Sequence, residues 1–238
     1  MDCVRGRAYS WIIVYLRLNN MSHLIAYFGG SFDPVHQGHL ATAKFLVDYF
    51  QLDKLVFLPA YLSPLKSQSL AAHHRVAMLK LAINGEHSFA IDEQEILQPS
   101  KSYTINTLKN LRQVYGSTQP LAFVMGMDSF LSLPKWHLWQ ELTHYSHIIV
   151  VNRPSYSPVF SSELQQWLNK HRCNQRQMLE YQAAGLVYFV DSPLYAISST
   201  NIRKALQQGQ AINQQLIPAV ANYIFHHHLY GATATNES

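Results

Sequence analysis

The chain has 238 residues, 48% of them hydrophobic and 13% charged, which suits one large α/β domain or two small ones and excludes a disordered or fibrous chain. Its two cysteines, Cys3 and Cys173, exclude a disulfide framework and a Cys-rich zinc module. The net charge of +4 comes from scattered basic residues and indicates no more than a mild preference for phosphate-bearing ligands.

In chain order, Arg5 and Arg7 precede the apolar run Trp11–Leu16. That run is far below the ~20 residues of a membrane span. It resembles a signal peptide but lacks a small-residue cleavage site. A second methionine, Met21, stands just before a strong strand signal. The reading is therefore a leader over 1–21 that is not part of the natural protein, one domain over 22–230, a polar tail over 231–238, and a cytoplasmic location.

Leu24–Phe28 is a short apolar run ended by Gly29-Gly30 and reads as a buried strand. Leu40–Phe50 is helical by its 3.6 period, with Leu40, Ala43, Leu46, Val47 and Phe50 on one face. Leu55–Pro59 is the next strand, closed by a proline that cannot continue a central ladder, and 60–72 reads as a loop. A helix over His74–Ile83, a short strand Phe89–Ile91 and a helix over Thr104–Val114 follow. Leu121–Met125, His147–Val151 and Leu186–Val190 are further strands, and two C-terminal helices close the chain. Apolar strands alternating with helices predict parallel pairing, a sheet covered on both faces, and a doubly wound Rossmann-like α/β fold. Ligands of such sheets lie beyond the carboxyl ends of the strands.

Chemistry-bearing residues follow those ends. After the first strand comes Gly29-Gly30-Ser31-Phe32-Asp33-Pro34-Val35-His36-Gln37-Gly38-His39-Leu40. The glycines allow a sharp turn and close approach of a phosphate or base. A helix starting near His36 places His36 and His39 on one face of its first turn, beside backbone N–H groups that attract an anion. Two imidazole donors at a helix N-terminus suit the charge on a phosphoryl group under attack. An HxxH pair is also half of a zinc site, but partner ligands are not evident nearby. Further on, Ser198-Ser199-Thr200 precedes the periodic stretch Ile202–Leu206 and reads as a helix cap. Arg203, one turn in, can grip phosphate oxygens with its planar fork. Asp128, after Gly126, is a strand-end carboxylate for ribose hydroxyls or a helix cap. His226-His227-His228 reads as a surface or packing feature.

The first string resembles the HxGH nucleotidyltransferase superfamily, and most closely the bacterial nicotinate mononucleotide adenylyltransferase family. A second signature of that family, ISxTxIR, stands as Ile197-Ser198-Ser199-Thr200-Asn201-Ile202-Arg203. Ser102-Tyr103-Thr104, Gly126-Met127-Asp128 and Trp136 lie between the two in the family's order. The resemblance runs from about Leu24 to about Tyr230.

It implies an enzyme that joins ATP to nicotinate mononucleotide, giving deamido-NAD and pyrophosphate. His36, His39 and Arg203 would be catalytic. Gly29, Gly30, Ser31, Phe32, Gly126, Asp128, Arg153, Ser198, Ser199 and Ile202 would join them in binding ATP. Tyr103 and Thr104, through backbone N–H groups, would hold the nicotinate carboxylate, and Trp136 would stack on the pyridine ring. Mg²⁺ is implied, held mainly by phosphates and water, with no dedicated protein metal site. Neither nucleic acid nor membrane is implied as a partner, and oligomeric state stays open. One departure is Ser63-Pro64-Leu65-Lys66, where the family usually carries Pro-Pro-His-Lys/Arg. Leu65 removes whatever that histidine supplies, and Lys66 is left to neutralise phosphate charge. Rival readings are a sister adenylyltransferase acting on pantetheine phosphate or nicotinamide mononucleotide, a class I tRNA synthetase fragment, and a catalytically inactive nucleotide- or RNA-binding regulator. The synthetase reading lacks a KMSKS-type loop.

Overall fold

Seven runs rich in apolar residues form one parallel sheet in the computed structural model, which describes residues 23–61, 69–97, 103–152, 158–193, 197–212 and 214–232. The strands are β1 (Ile25–Gly30), β2 (Leu55–Pro59), β3 (Phe89–Ile91), β4 (Leu121–Gly126), β5 (His147–Asn152), β6 (Arg172–Cys173) and β7 (Val187–Asp191). Their order is β3-β2-β1-β4-β5-β7-β6, and every neighbouring pair is parallel. The helices are α1 (Gln37–Phe50), α2 (Ala72–Ala82), α3 (Thr104–Tyr115), α4 (Met127–Leu131), α5 (Ser162–His171), α6 (Met178–Tyr181), α7 (Ser199–Gln207) and α8 (Pro218–His226). The doubly wound expectation holds. The chain moves outward from β1 through β2 to β3, then returns to β4 on β1's other side, so the crevice opens beyond the ends of β1 and β4.

Side chains of a strand alternate between faces, and here both faces are buried. Ala26, Phe28, Ala122, Val124 and Ile149 pack with Ala43, Leu46 and Phe50 of α1, Met78 and Leu79 of α2, Ile202 and Leu206 of α7, and Val220 and Ile224 of α8. Tyr27, Leu121, Phe123, Met125, Ile148 and Val150 pack on the opposite face with Ile105, Leu108 and Leu111 of α3 and with Leu164, Trp167 and Leu168 of α5. Each fully buried side chain of this kind contributes about 1.5–3 kcal/mol, so the two faces hold the sheet from both sides. Pro59 pairs with Gly30 at the last rung of the β1–β2 ladder, where a missing N–H costs little.

Some elements differ from the sequence reading. Helix α1 starts at Gln37, beside His36 as the HxxH spacing suggests and ahead of the periodic stretch from Leu40. Helix α5 and strand β6 were not expected. The Ser161 hydroxyl caps α5 by accepting from the Leu164 N–H at 3.3 Å, and Leu164, Trp167 and Leu168 form its buried stripe. Strand β6 has two residues, too few to show a period. Ala232, placed in the tail, is only 3% exposed and packs in the core. The leader and residues 233–238 lie outside the described residues. Among the described residues no helix is long and apolar enough to cross a membrane.

One buried polar side chain on the sheet is satisfied by main-chain groups close by. His147 is completely buried. Its Nδ1 accepts from the Leu186 N–H at 3.1 Å and its Nε2 donates to the Gln182 carbonyl at 2.8 Å. Burial lowers its pKa to about 4, so the neutral ring is the form built into the fold.

Candidate active site

Strand β1 delivers the first loop at the centre of the sheet. The structure gives its glycines a reason other than a turn. Neither Gly29 nor Gly30 has a positive φ. A Cβ on Gly29 would lie 2.3 Å from Phe123 Cζ, and one on Gly30 would lie 2.8 Å from Phe32 Cζ. Both positions exclude side chains because aromatic rings already occupy the space. Phe32 follows in the left-handed region with φ 48°. Its ring is 2% exposed and meets Phe28, Phe57 and His39 edge-on, with His39 at 5.1 Å between centroids. Phe32 thus anchors the loop in the core, and its side chain faces protein rather than the crevice.

His36 is the N-cap of α1, whose first turn carries no acidic residue. No carboxylate of that turn neutralises the positive helix end, although the Gln37 N–H already donates to the Gln215 carbonyl at 2.9 Å. The His36 backbone N–H donates to His39 Nδ1 at 3.2 Å. The neutral His39 ring then carries its proton on Nε2. The two imidazoles stack with centroids 3.7 Å apart. His36 is 5% exposed, and burial lowers its pKa to about 4. Its buried Nδ1 has no hydrogen-bond partner. At neutral pH His36 is an uncharged imidazole with an unmet polar atom, not a cation.

Helix α7 closes on the same loop from the far end of the chain. Ser198 Oγ caps α7 by accepting from the Asn201 N–H at 3.2 Å. Ser199 Oγ donates to the Pro34 carbonyl at 3.0 Å. Arg203 donates through Nη1 to the Asp33 carbonyl at 2.6 Å and through Nη2 to Thr200 Oγ1 at 3.4 Å. Ile202 is fully buried and fixes the helix to the core, so only its main chain is available to a ligand. His36, His39, Ser199 and Arg203 are thereby brought together.

Two residues of this half were not singled out in the sequence. Asp33 is 4% exposed. Its Oδ2 accepts from Ser69 Oγ at 3.1 Å and the Leu70 N–H at 3.3 Å, and its Oδ1 accepts from the Tyr230 hydroxyl at 2.6 Å. Arg75 is 1% exposed and donates to the carbonyls of Ser31, Tyr61 and Leu70 at 2.6–2.9 Å. Burial lowers the Arg75 pKa while the Asp33 carboxylate opposes that shift.

A second group lies on the other side of Phe123. Tyr103 is the N-cap of α3 and Thr104 its first residue, so their N–H groups sit at a helix start. The Tyr103 ring lies 4.8 Å from that of His137. Trp136 is half-buried, edge-on to Phe123 at 6.4 Å, with Nε1 3.4 Å from Ser132 Oγ. Phe123 therefore borders both Gly29 and Trp136 and joins the two groups. Gly126 ends β4 and is the N-cap of α4, while Asp128 is exposed in that helix's first turn rather than capping it. Beyond β5 and β7 a cleft of about 430 Å³ is lined by Met127, Asn152, Phe160, Phe189 and Asp191, among others. Lys66, Leu65, Ser102 and Arg153 lie outside the described residues.

Parallel sheet, first loop and capped basic helix define a Rossmann-like nucleotidyltransferase. The model of the family described as Cytidylyltransferase-like matches residues 27–205. A "Probable nicotinate-nucleotide adenylyltransferase" of Yersinia pestis (strain Pestoides F) is 42% identical over 203 residues, covering 84% of this chain and 92% of the relative. A relative of the same name from Pectobacterium atrosepticum is 40% identical over 212 residues, covering 88% and 100%. The chain belongs to the nicotinate-nucleotide adenylyltransferase family. Among solved structures, the Plasmodium falciparum nicotinic acid mononucleotide adenylyltransferase complexed with NaAD superposes with a TM-score of 0.69 at 18% identity, covering 88% of this chain and 98% of that one. A putative nicotinate-nucleotide adenylyltransferase from Vibrio parahaemolyticus gives 0.59 at 20%, covering 88% and 96%. At such identities these two establish the shared fold.

Proposed function

We propose that this site transfers the adenylyl group of ATP to nicotinate mononucleotide, releasing pyrophosphate and forming deamido-NAD for NAD biosynthesis. The observation that carries this reading is the Arg203 guanidinium on the Asp33 carbonyl, which sets a cation and the His36–His39 pair around one loop end. The relatives' names supply the acceptor.

The 5′-phosphate oxygen of the mononucleotide attacks the ATP α-phosphorus in line. The bond from that phosphorus to the β-bridging oxygen breaks, and pyrophosphate leaves with the electron pair. The attacking phosphate is already ionised near pH 7, so no strong base and no covalent enzyme intermediate are needed. Catalysis is positioning plus charge stabilisation. His39 donates from Nε2 to the α-phosphate. His36 contributes a neutral, dry dipole beside it. Arg203, together with Lys66, neutralises the departing pyrophosphate, and Ser198 and Ser199 place α7 against its β- and γ-phosphates. By the resemblance, Asp128 would take the ribose hydroxyls and Arg153 would contact the adenine.

Mg²⁺ supplies charge neutralisation on the triphosphate when bound. Among the described residues no group of three or more His, Cys, Asp or Glu side chains could hold a metal, and both carboxylate oxygens of Asp33 are engaged. By the resemblance, the ion would be held mainly by the phosphates and water. On the acceptor side, the N–H groups of Tyr103 and Thr104 favour a carboxylate over a neutral amide, and Trp136 offers the pyridine ring a face.

The test is pyrophosphate release from ATP with nicotinate mononucleotide, nicotinamide mononucleotide or pantetheine phosphate offered separately. Release with the first, and far less with the other two, is expected. Faster release with either of the others would replace the acceptor named here.

A further inference from the structure

Tyr230 is not used by the mechanism above, yet the chain goes to some length to place it. It stands in a 3-10 turn, Leu229–Gly231, with φ 58° and ψ 22°. This left-handed conformation is unfavourable for a residue with a bulky side chain. Leu229 and Ala232 on either side are buried in the core and hold the turn down. The result is the 2.6 Å hydrogen bond from the Tyr230 hydroxyl to Asp33 Oδ1, spanning 197 positions of sequence. Burial and the adjoining Asp33 carboxylate push the phenol's pKa far above its ordinary value, against Arg203 and Arg75, which oppose the shift. Tyr230 therefore keeps its proton and remains a donor.

Asp33 passes this constraint on. Its second carboxylate oxygen holds Ser69 and Leu70, and its carbonyl receives Arg203. The next carbonyl, that of Pro34, receives Ser199. Two residues further on lies His36. We propose that Tyr230 is a positioning residue for the ATP half of the site, latching the C-terminal turn to Asp33 so that the first loop and Arg203 keep the spacing one triphosphate requires. This rests on the reading that the triphosphate lies between His36, His39 and Arg203. Tyr103 and Trp136 pack in the opposite core cluster, so the latch acts on one substrate and spares the other.

Tyr223 provides the control. It is a phenol on the same C-terminal segment whose hydroxyl bonds His74 Nδ1 at 2.9 Å rather than a residue of the first loop. ATP affinity is measured by titration calorimetry, alongside kcat and both KM values, for Tyr230→Phe and Tyr223→Phe. Tyr230→Phe is expected to weaken ATP binding about tenfold and lower kcat by tenfold or more, with the mononucleotide KM within about twofold of wild type. Tyr223→Phe should leave all of these within about twofold. Ser69→Ala, which removes a donor from the other oxygen of Asp33 and leaves the core intact, should weaken ATP about threefold. It keeps the idea testable even where Tyr230→Phe folds poorly. Unchanged ATP affinity in Tyr230→Phe, equal weakening of both substrates, or an equal loss in Tyr223→Phe would overturn the latch. A wild-type protein that binds ATP but releases no pyrophosphate would sink the adenylyl-transfer reading alone, because the ATP affinities still decide the latch.

Discussion

The two halves of the site are built in opposite ways. The half proposed to take ATP gathers residues distant in the chain and ties them through hydrogen bonds to main-chain carbonyls: Arg203 to Asp33, Ser199 to Pro34, Arg75 to Ser31. The half proposed to take the mononucleotide comes from one continuous stretch, Tyr103 to His137, and consists of rings packed against rings. The Trp136 indole makes one long hydrogen bond, at 3.4 Å. The contrast follows from the ligands. Charge that moves during reaction needs donors fixed beforehand, because rearranging them at that moment costs free energy. A pyridine ring needs a surface, which tolerates small displacements.

Changes in the ATP half should therefore cost rate, and changes in the other half should cost affinity for one substrate. The largest expected effect is His39→Ala, with turnover down by about 10²–10³-fold and little change in thermal midpoint. Near-normal turnover in steady-state assays would remove His39 from its role. Next is the pH dependence of stability. His36 and His147 both have folded pKa values of about 4, below the ordinary 6.5. Between these values the unfolded chain binds protons that the folded one refuses. Stability is thus complete above about pH 6.5 and falls as pH drops toward 4, by up to about 3 kcal/mol per histidine. Urea unfolding at a series of pH values measures this. Arg203→Lys keeps the charge but cannot fork between Asp33 and a phosphate. A loss of about tenfold in kcat/KM for ATP is expected. Trp136→Ala is the mildest, raising the mononucleotide KM by about three- to tenfold while the ATP KM stays put. An equal rise in both would erase the distinction between the halves.

What the sequence revealed divides along similar lines. Strands β1, β2, β4 and β5 were legible because unbroken apolar runs have few alternatives. The ISSTNIR stretch was legible because a capping serine precedes a periodic helix. Asp33, Arg75 and Tyr230 were not, because an aspartate, an arginine and a tyrosine acquire their roles only from partners up to 197 positions away. His147 read as one more strand residue, and only its two backbone partners reveal it as a locked neutral ring. Gly29 and Gly30 were rightly noticed for a different reason. Ring positions three-dimensionally adjacent, not turn geometry, forbid their side chains. Helix α5 did carry a signal, the Ser161 cap ahead of Leu164, Trp167 and Leu168.

The most direct measurement is a crystal structure with a non-hydrolysable ATP analogue. The account predicts a single triphosphate with His39 Nε2 and the Arg203 guanidinium both within hydrogen-bonding distance of its oxygens, and with Tyr230 still on Asp33. A triphosphate held elsewhere, or touched by the imidazoles while Arg203 stays on the Asp33 carbonyl out of reach, would contradict it.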